Sequence, residues 1–139
     1  MTYEKLIAEA DNAGLMVVEK KFKSNAMGLC KGRKIGIEST FATCTKKCVL
    51  AEELGHFYTT VGDIVEQKND MQIKQENLAR SWAIDKLLPF EYFISAVKAG
   101  CYTTHEIAEY FDIDERFLCY SIEHYKRKLG IEFPLTSLE

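Results

Sequence analysis

Residues 50–61 read Leu-Ala-Glu-Glu-Leu-Gly-His-Phe-Tyr-Thr-Thr-Val and show a strong helical pattern. The apolar residues recur at the spacing of an α-helix, at Leu50, Leu54, Phe57 and Val61. Side chains with this spacing lie on one face and form a single apolar stripe. We therefore predict a helix from about Thr45 to Thr60 that is ended by Gly62 and Asp63.

Glu52 and His56 lie one turn apart on this helix, on the side away from the apolar stripe. A carboxylate and an imidazole at this spacing are two potential ligands of one divalent metal ion. Glu53 lies beside the pair and could take a proton from a water molecule held there. The spelling E-E-x-x-H has Glu where the metalloprotease motif H-E-x-x-H has its first His. A solvated glutamate face with an incidental histidine explains the same residues, so both interpretations stay open.

A third candidate ligand, Glu76, lies on a second predicted helix over residues 69–88, which Pro89 closes. Helical projection places Glu76 on the same face as small and apolar residues, namely Ala79, Ala83 and Leu87. A carboxylate on such a face needs a partner, because an unpaired buried charge is costly. A metal ion is one possible partner, and Arg80, four residues further along the helix, is the other.

The flanking segments predict an α+β fold that is mostly helical with a small N-terminal β-sheet. Residues 15–22 are rich in strand-forming residues, and residues 26–38 read as a hairpin around a glycine-containing turn. The other predicted helices cover residues 2–13, 89–99, 104–111 and about 115–129. No shift in composition marks a boundary, so we expect residues 1–139 to form one domain. Its motif helices would lie in residues 1–100 and a C-terminal helical unit in residues 101–139.

Composition and charge exclude several functional classes. The net charge of −3 gives no electrostatic reason to expect binding to nucleic acid or to an anionic membrane. Neither a basic leader nor an apolar stretch of membrane-spanning length is visible, so we expect a cytoplasmic protein without a membrane partner. An odd number of cysteines, 5, indicates reduced thiols. We expect Cys30, Cys101 and Cys119 to pack in the core.

Residues 103–129 have the rhythm of a helix-turn-helix, with a capping box at Thr103 and Glu106 and a cap at Asp114. Residues 101–130 hold six acidic and four basic side chains, a net charge of −2. A protein-docking or packing unit therefore fits this segment better than a DNA reader. We expect His105 to belong to the capped helix and His124 to lie on a solvent face, neither with a chemical role.

The two motif segments together resemble the ImmA/IrrE family of zinc-dependent metallopeptidases, which are frequent in phages and mobile elements. The resemblance is carried by the run LAEELGHFYTTVGDI and, twenty residues after His56, by E-x-x-A-x-x-W-A-x-x-x-L-L-P from Glu76 to Pro89. It covers most of the chain and implies a zincin-like minimal metallopeptidase domain. Members of the family act as anti-repressors that cleave a helix-turn-helix repressor, so the resemblance implies a protein substrate of this kind.

Carried over by position, the resemblance implies that Glu52, His56 and Glu76 ligate the metal and that Glu53 is the general base. Glu52 stands where the family usually has His, and Arg80 where it usually has Asn. Two carboxylates and one imidazole form a harder ligand set, which keeps Mn²⁺ and Fe²⁺ open beside Zn²⁺. Two other functions stay open, a repressor-binding regulator without catalysis and, less favoured, a DNA-binding module. Nothing in the sequence indicates the oligomeric state.

Overall fold

The computed structural model describes residues 1–60 and 69–132. Its α-helices are α1 (Tyr3–Asn12), α2 (Thr43–Thr59), α3 (Asn69–Leu87), α4 (Phe90–Lys98), α5 (Thr104–Phe111) and α6 (Glu115–Leu129), and its strands are β1 (Met16–Lys20), β2 (Gly28–Lys31) and β3 (Lys34–Glu38). The predicted α+β class, mostly helical with a small sheet, is confirmed. Two compact units divide the chain, Met1–Ala83 and Ile84–Glu139, with their boundary inside α3.

The sheet has the strand order β1-β3-β2. Strands β2 and β3 form the predicted antiparallel hairpin. Its turn contains Gly32 with a φ of +61°, a conformation that glycine adopts without strain. Strand β1 pairs with β3 in parallel, so β2 lies at an edge of the sheet. Ile35 and Ile37 of β3 are completely buried, because alternate residues of a strand face the same side of the sheet.

Helix α2 packs on α1 and on strands β2 and β3. Of the predicted stripe, Leu50 and Leu54 are buried and Phe57 is only partly buried. The buried face also includes Cys48, Ala51 and Gly55. The helix begins after Ala42, which offers no side-chain cap, and ends at Thr59. The predicted stop at Gly62-Asp63, like Val61 of the predicted stripe, lies outside the described residues.

Helix α3 confirms the prediction for residues 69–88 to within one residue. The predicted small and apolar face is buried, with Ala79 1%, Ala83 0% and Leu87 6% exposed. Within the first unit, this face meets α2 at Gly55: a Cβ built there would lie 2.1 Å from the carbonyl oxygen of Ala79. The two helix backbones are therefore in direct contact at this point.

The second unit contains the predicted helix-turn-helix, α5 and α6. Thr103 Oγ1 accepts the backbone N–H of Glu106, and Asp114 Oδ1 accepts that of Phe117 at 2.7 Å, so both predicted caps are present. Gly130 ends α6 in the left-handed conformation, as predicted. The prediction that His124 lies on a solvent face is wrong: its side chain is 14% exposed and its ring packs edge-on against Tyr125.

All five cysteines are free thiols, as expected. The expectation that Cys119 packs in the core is wrong, because Cys119 is exposed, and Cys30 and Cys101 are only partly buried. Cys48 of α2 is instead completely buried. Within residues 1–60 and 69–132, none of the helices combines the length and apolar character needed to cross a membrane.

Candidate metal centre

His56 of α2 and Glu76 of α3 form the centre of the candidate site. The Nε2 atom of His56 lies 2.9 Å from Oε2 of Glu76, and the two side chains are 22% and 57% exposed. The hydrogen bond to Glu76 raises the pKa of His56, and the same bond lowers the pKa of Glu76. The partner that Glu76 contacts is therefore His56, itself a candidate metal ligand, and neither of the two partners predicted for it, a metal ion and Arg80, makes this hydrogen bond. The charge of Arg80 also lowers the pKa of Glu76.

The close contact between α2 and α3 explains why these two side chains meet. Gly55 immediately precedes His56, and any side chain at position 55 would overlap the backbone of Ala79. Ala79 is one turn after Glu76, so the helix contact holds His56 and Glu76 within hydrogen-bond distance. Sequence reasoning gave Gly55 no structural role, although a glycine inside a helix is a known signal for close backbone approach.

Glu53, the predicted general base, lies close to His56 and Glu76, whose charges both act on its carboxyl group. Burial raises the pKa of Glu53 to about 7, and the negative charges of Glu76 and Glu52 add to the increase while His56 opposes it. Such a carboxyl group exchanges a proton near neutral pH, which is the property that general acid–base catalysis needs. Its aliphatic stem rests against Gly28 of β2.

Glu52 is close to the other candidate residues, and its carboxylate charge raises the pKa of both Glu53 and His56. Its side chain is partly buried and its Oε1 atom has almost no accessible surface. In the part of the chain that the structure describes, Glu53, His56 and Glu76 line one groove and Glu52 is not among its lining residues. The ligand role of Glu52 therefore stays a prediction from its position on the helix.

The groove has a volume of about 600 Å³ and runs between the edge strand and the motif helices. One wall is formed by β2 and its turn, residues 28–32. The opposite wall carries the acidic and imidazole groups together with Phe57 and Thr60. The contribution of β2 was missed by sequence reasoning, since the order of strands in a sheet depends on contacts between distant segments.

The donor atoms present fit a divalent cation. Two ligands of a tetrahedral zinc ion, each about 2.0–2.2 Å from the metal, lie roughly 3.4 Å apart, and the His56 and Glu76 donor atoms are 2.9 Å apart. The negative charges of Glu76, Glu53 and Glu52 all act on His56, and a cation would neutralise part of this charge. Among residues 1–60 and 69–132 the side chains form no ready-made group of three metal donors. The structure thus brings together two of the three predicted ligands and places Glu53 beside them.

Comparison with known proteins identifies the family. Residues 10–123 match the family model of the IrrE N-terminal-like domain, peptidase M78. A search of curated proteins finds no match. The matched range includes α2, α3 and the groove, together with most of the second unit. The chain therefore belongs to the IrrE N-terminal-like peptidase M78 family, the ImmA/IrrE metallopeptidases, and carries a metallopeptidase-type domain of a class that uses a metal cofactor and acts on protein substrates.

Proposed function

We propose that this protein is a zinc-dependent endopeptidase of phage or mobile-element origin that cleaves a helix-turn-helix repressor in the cytoplasm. The observation that carries the proposal is the groove in which Glu53, His56 and Glu76 meet beside an edge strand. Family membership supports the reaction class. The choice of repressor as substrate and of zinc over Mn²⁺ or Fe²⁺ rests on the sequence resemblance.

Glu52, His56 and Glu76 would hold the metal ion. When bound, a divalent cation in this position polarises a peptide carbonyl and lowers the pKa of a water molecule. The two ligand carboxylates would partly neutralise the cation's charge, which makes this ligand set harder than one with two imidazoles. His56 and Glu76 already face each other at hydrogen-bond distance, so they need little rearrangement to bind the same metal ion.

Glu53 would serve as the general base. A carboxyl group with a pKa of about 7 is partly ionised at neutral pH, so it can take the proton of the attacking water. The same group, once protonated, can donate the proton to the leaving amine. Burial and neighbouring negative charges are what tune Glu53 to this task, as is common for catalytic carboxylates.

Strand β2 would bind the substrate backbone. The backbone N–H of Glu38 donates to Met27 O, which sets the antiparallel register and turns the backbone groups of Gly28 and Cys30 away from β3. These groups lie along the groove, where an extended peptide can pair with them as an added strand. Such pairing would place a peptide bond opposite Glu53 and His56.

The proposal is tested with Glu53→Gln, which removes the base and keeps the size of the side chain. We expect kcat for cleavage of a repressor encoded next to this gene to fall about 10²–10⁴-fold, with KM little changed. Glu91→Gln, on the exposed face of α4, is the matched control and should cleave like the wild type. Cleavage by Glu53→Gln at the wild-type rate would refute the role of Glu53.

A repressor-binding regulator without catalysis is the second candidate. It is favoured by Glu52 standing where the family usually has His, and by the absence of Glu52 from the groove lining within the described residues. On this alternative, the purified protein would bind the repressor while holding no stoichiometric metal and cutting no peptide bond. Metal analysis of the purified protein, combined with a cleavage assay, distinguishes the two.

A further inference from the structure

Gly28, in the edge strand β2, lies directly against the helix that carries Glu53. A Cβ built at Gly28 would lie 2.6 Å from Cγ1 of Val49, 3.1 Å from Cγ of Glu53 and 3.2 Å from Oε1 of Glu53. Carbon atoms do not approach each other to 2.6 Å, so no side chain larger than hydrogen fits here without movement of α2 or its side chains.

The backbone does not require a glycine at this position. Gly28 pairs in regular antiparallel register with Ile37, and its φ lies outside the left-handed region that favours glycine. Glycine in a strand interior weakens the strand, and it often marks a site where another group approaches closely. Here the approaching groups are Val49 and Glu53. Position 28 therefore requires glycine because these two side chains leave no room for a Cβ atom.

Both the stem and the carboxylate of Glu53 contact that space. Of the Glu53 atoms, Cγ lies nearest to the position of a Cβ at residue 28, at 3.1 Å, and one carboxylate oxygen lies almost as near, at 3.2 Å. Glu53 therefore rests on the bare backbone of β2 within the groove that it shares with His56 and Glu76. A methyl group at position 28 would displace this carboxylate from its position beside His56.

We propose that Gly28 is a positioning residue for Glu53, whose carboxylate occupies its place in the groove because position 28 has no side chain. The inference rests on the proposed function of Glu53 as general base. Gly28 touches the substrate only through backbone groups, which alanine retains. Replacement by alanine should therefore lower kcat and leave KM for the substrate almost unchanged.

The test compares variants in which the contact with Val49 has been removed. Val49→Ala opens the space on that side, so that in Gly28→Ala/Val49→Ala the new methyl group meets only Glu53. Relative to Val49→Ala alone, we expect kcat to fall about 3- to 10-fold, because contacts of 3.1 and 3.2 Å move the Glu53 side chain by a few tenths of an ångström and a misplacement of about 1 Å costs about 10²-fold. KM and the bound metal per chain should stay within about twofold, since neither the β2 backbone nor the ligands change.

Gly36→Ala is the matched control. It introduces the same methyl group into the adjacent strand on the opposite face of the sheet, where its nearest neighbour is the ring of Phe22 at 3.1 Å. We expect its kcat to match that of the wild type. A loss of kcat in Gly36→Ala equal to that in Gly28→Ala/Val49→Ala would show a general effect on the sheet and would overturn the proposal.

Crystal structures provide a readout that is independent of activity. The Glu53 carboxylate should be displaced in Gly28→Ala/Val49→Ala and unmoved in Val49→Ala, with similar melting temperatures for the two proteins. An unmoved carboxylate, or an unchanged kcat, overturns the positioning role of Gly28. If wild type and Val49→Ala cleave no repressor, the proposed function fails, and the position of Glu53 in the crystals still decides the role of Gly28.

Discussion

Replacing Gly55 with alanine tests whether the backbone contact between α2 and α3 builds the site. The new Cβ would lie 2.1 Å from the carbonyl oxygen of Ala79, and ordinary contact needs about 3.4 Å, so the helices must separate by about 1.3 Å. The same movement would lengthen the 2.9 Å contact between His56 and Glu76 to about 4.2 Å, beyond hydrogen-bond distance.

Two opposing contributions set the sign of the change in stability in Gly55→Ala. Alanine in place of glycine inside an open helix stabilises it by about 1 kcal/mol. Overpacking of a buried contact costs about 1–3 kcal/mol, and a backbone-to-backbone contact such as this one lies at the upper end of that range. The net effect of Gly55→Ala is therefore a destabilisation of about 2 kcal/mol. For a chain of this size that corresponds to a decrease in melting temperature of about 7 °C.

Thermal unfolding followed by circular dichroism at a fixed metal concentration measures this change. Metal content after dialysis should fall in parallel, because His56 and Glu76 no longer face each other at 2.9 Å. A Gly55→Ala protein that melts at or above the wild-type temperature, and that binds metal as well, would refute the backbone contact as the origin of the site.

Two further predictions concern the second unit. Asp114→Ala removes the capping oxygen that accepts the Phe117 N–H at 2.7 Å. We expect the free energy of unfolding to fall by about 1 kcal/mol and the melting temperature by about 3 °C. An unchanged melting temperature would contradict this. The hydrogen bond to Glu115 and the charge of Glu109 raise the pKa of His105. Protonated His105 therefore stabilises the folded state fully below about pH 6.5, and this stabilisation is lost as pH rises through the raised pKa. His105→Gln should accordingly melt below the wild type at about pH 5.5 and together with it at about pH 9.

Local signals in the sequence were sufficient to predict most elements of the fold. The hairpin follows from its turn glycine and alternating residues, and α5 and α6 follow from caps that the structure contains at Thr103 and Asp114. The error at Cys119 has a local cause as well: Cys119 lies 100° around α6 from the buried Leu118 and so falls outside the buried stripe.

The candidate site was predictable only in part. Helical spacing predicted Glu52 and His56 on one face of a helix with Glu53 beside them. Among the described residues the groove is lined instead by Glu53 and His56, and α3 brings Glu76 to His56. Contacts between distant segments decide the rest. Neither the edge position of β2 nor the space that Gly28 leaves for Glu53 can be read from a local pattern, because both depend on how the sheet packs against α2.

The His56–Glu76 contact has a consequence for folding. It joins positions twenty residues apart, and closing a loop of that length costs about 2.7 kcal/mol of chain entropy plus a constant term. A cation held by both side chains would offset a cost of this size, since a ligand present at 100 times its Kd stabilises the folded state by about 2.7 kcal/mol. The supply of metal in the cell would then set how long the first unit survives against proteolysis, as well as how fast it works.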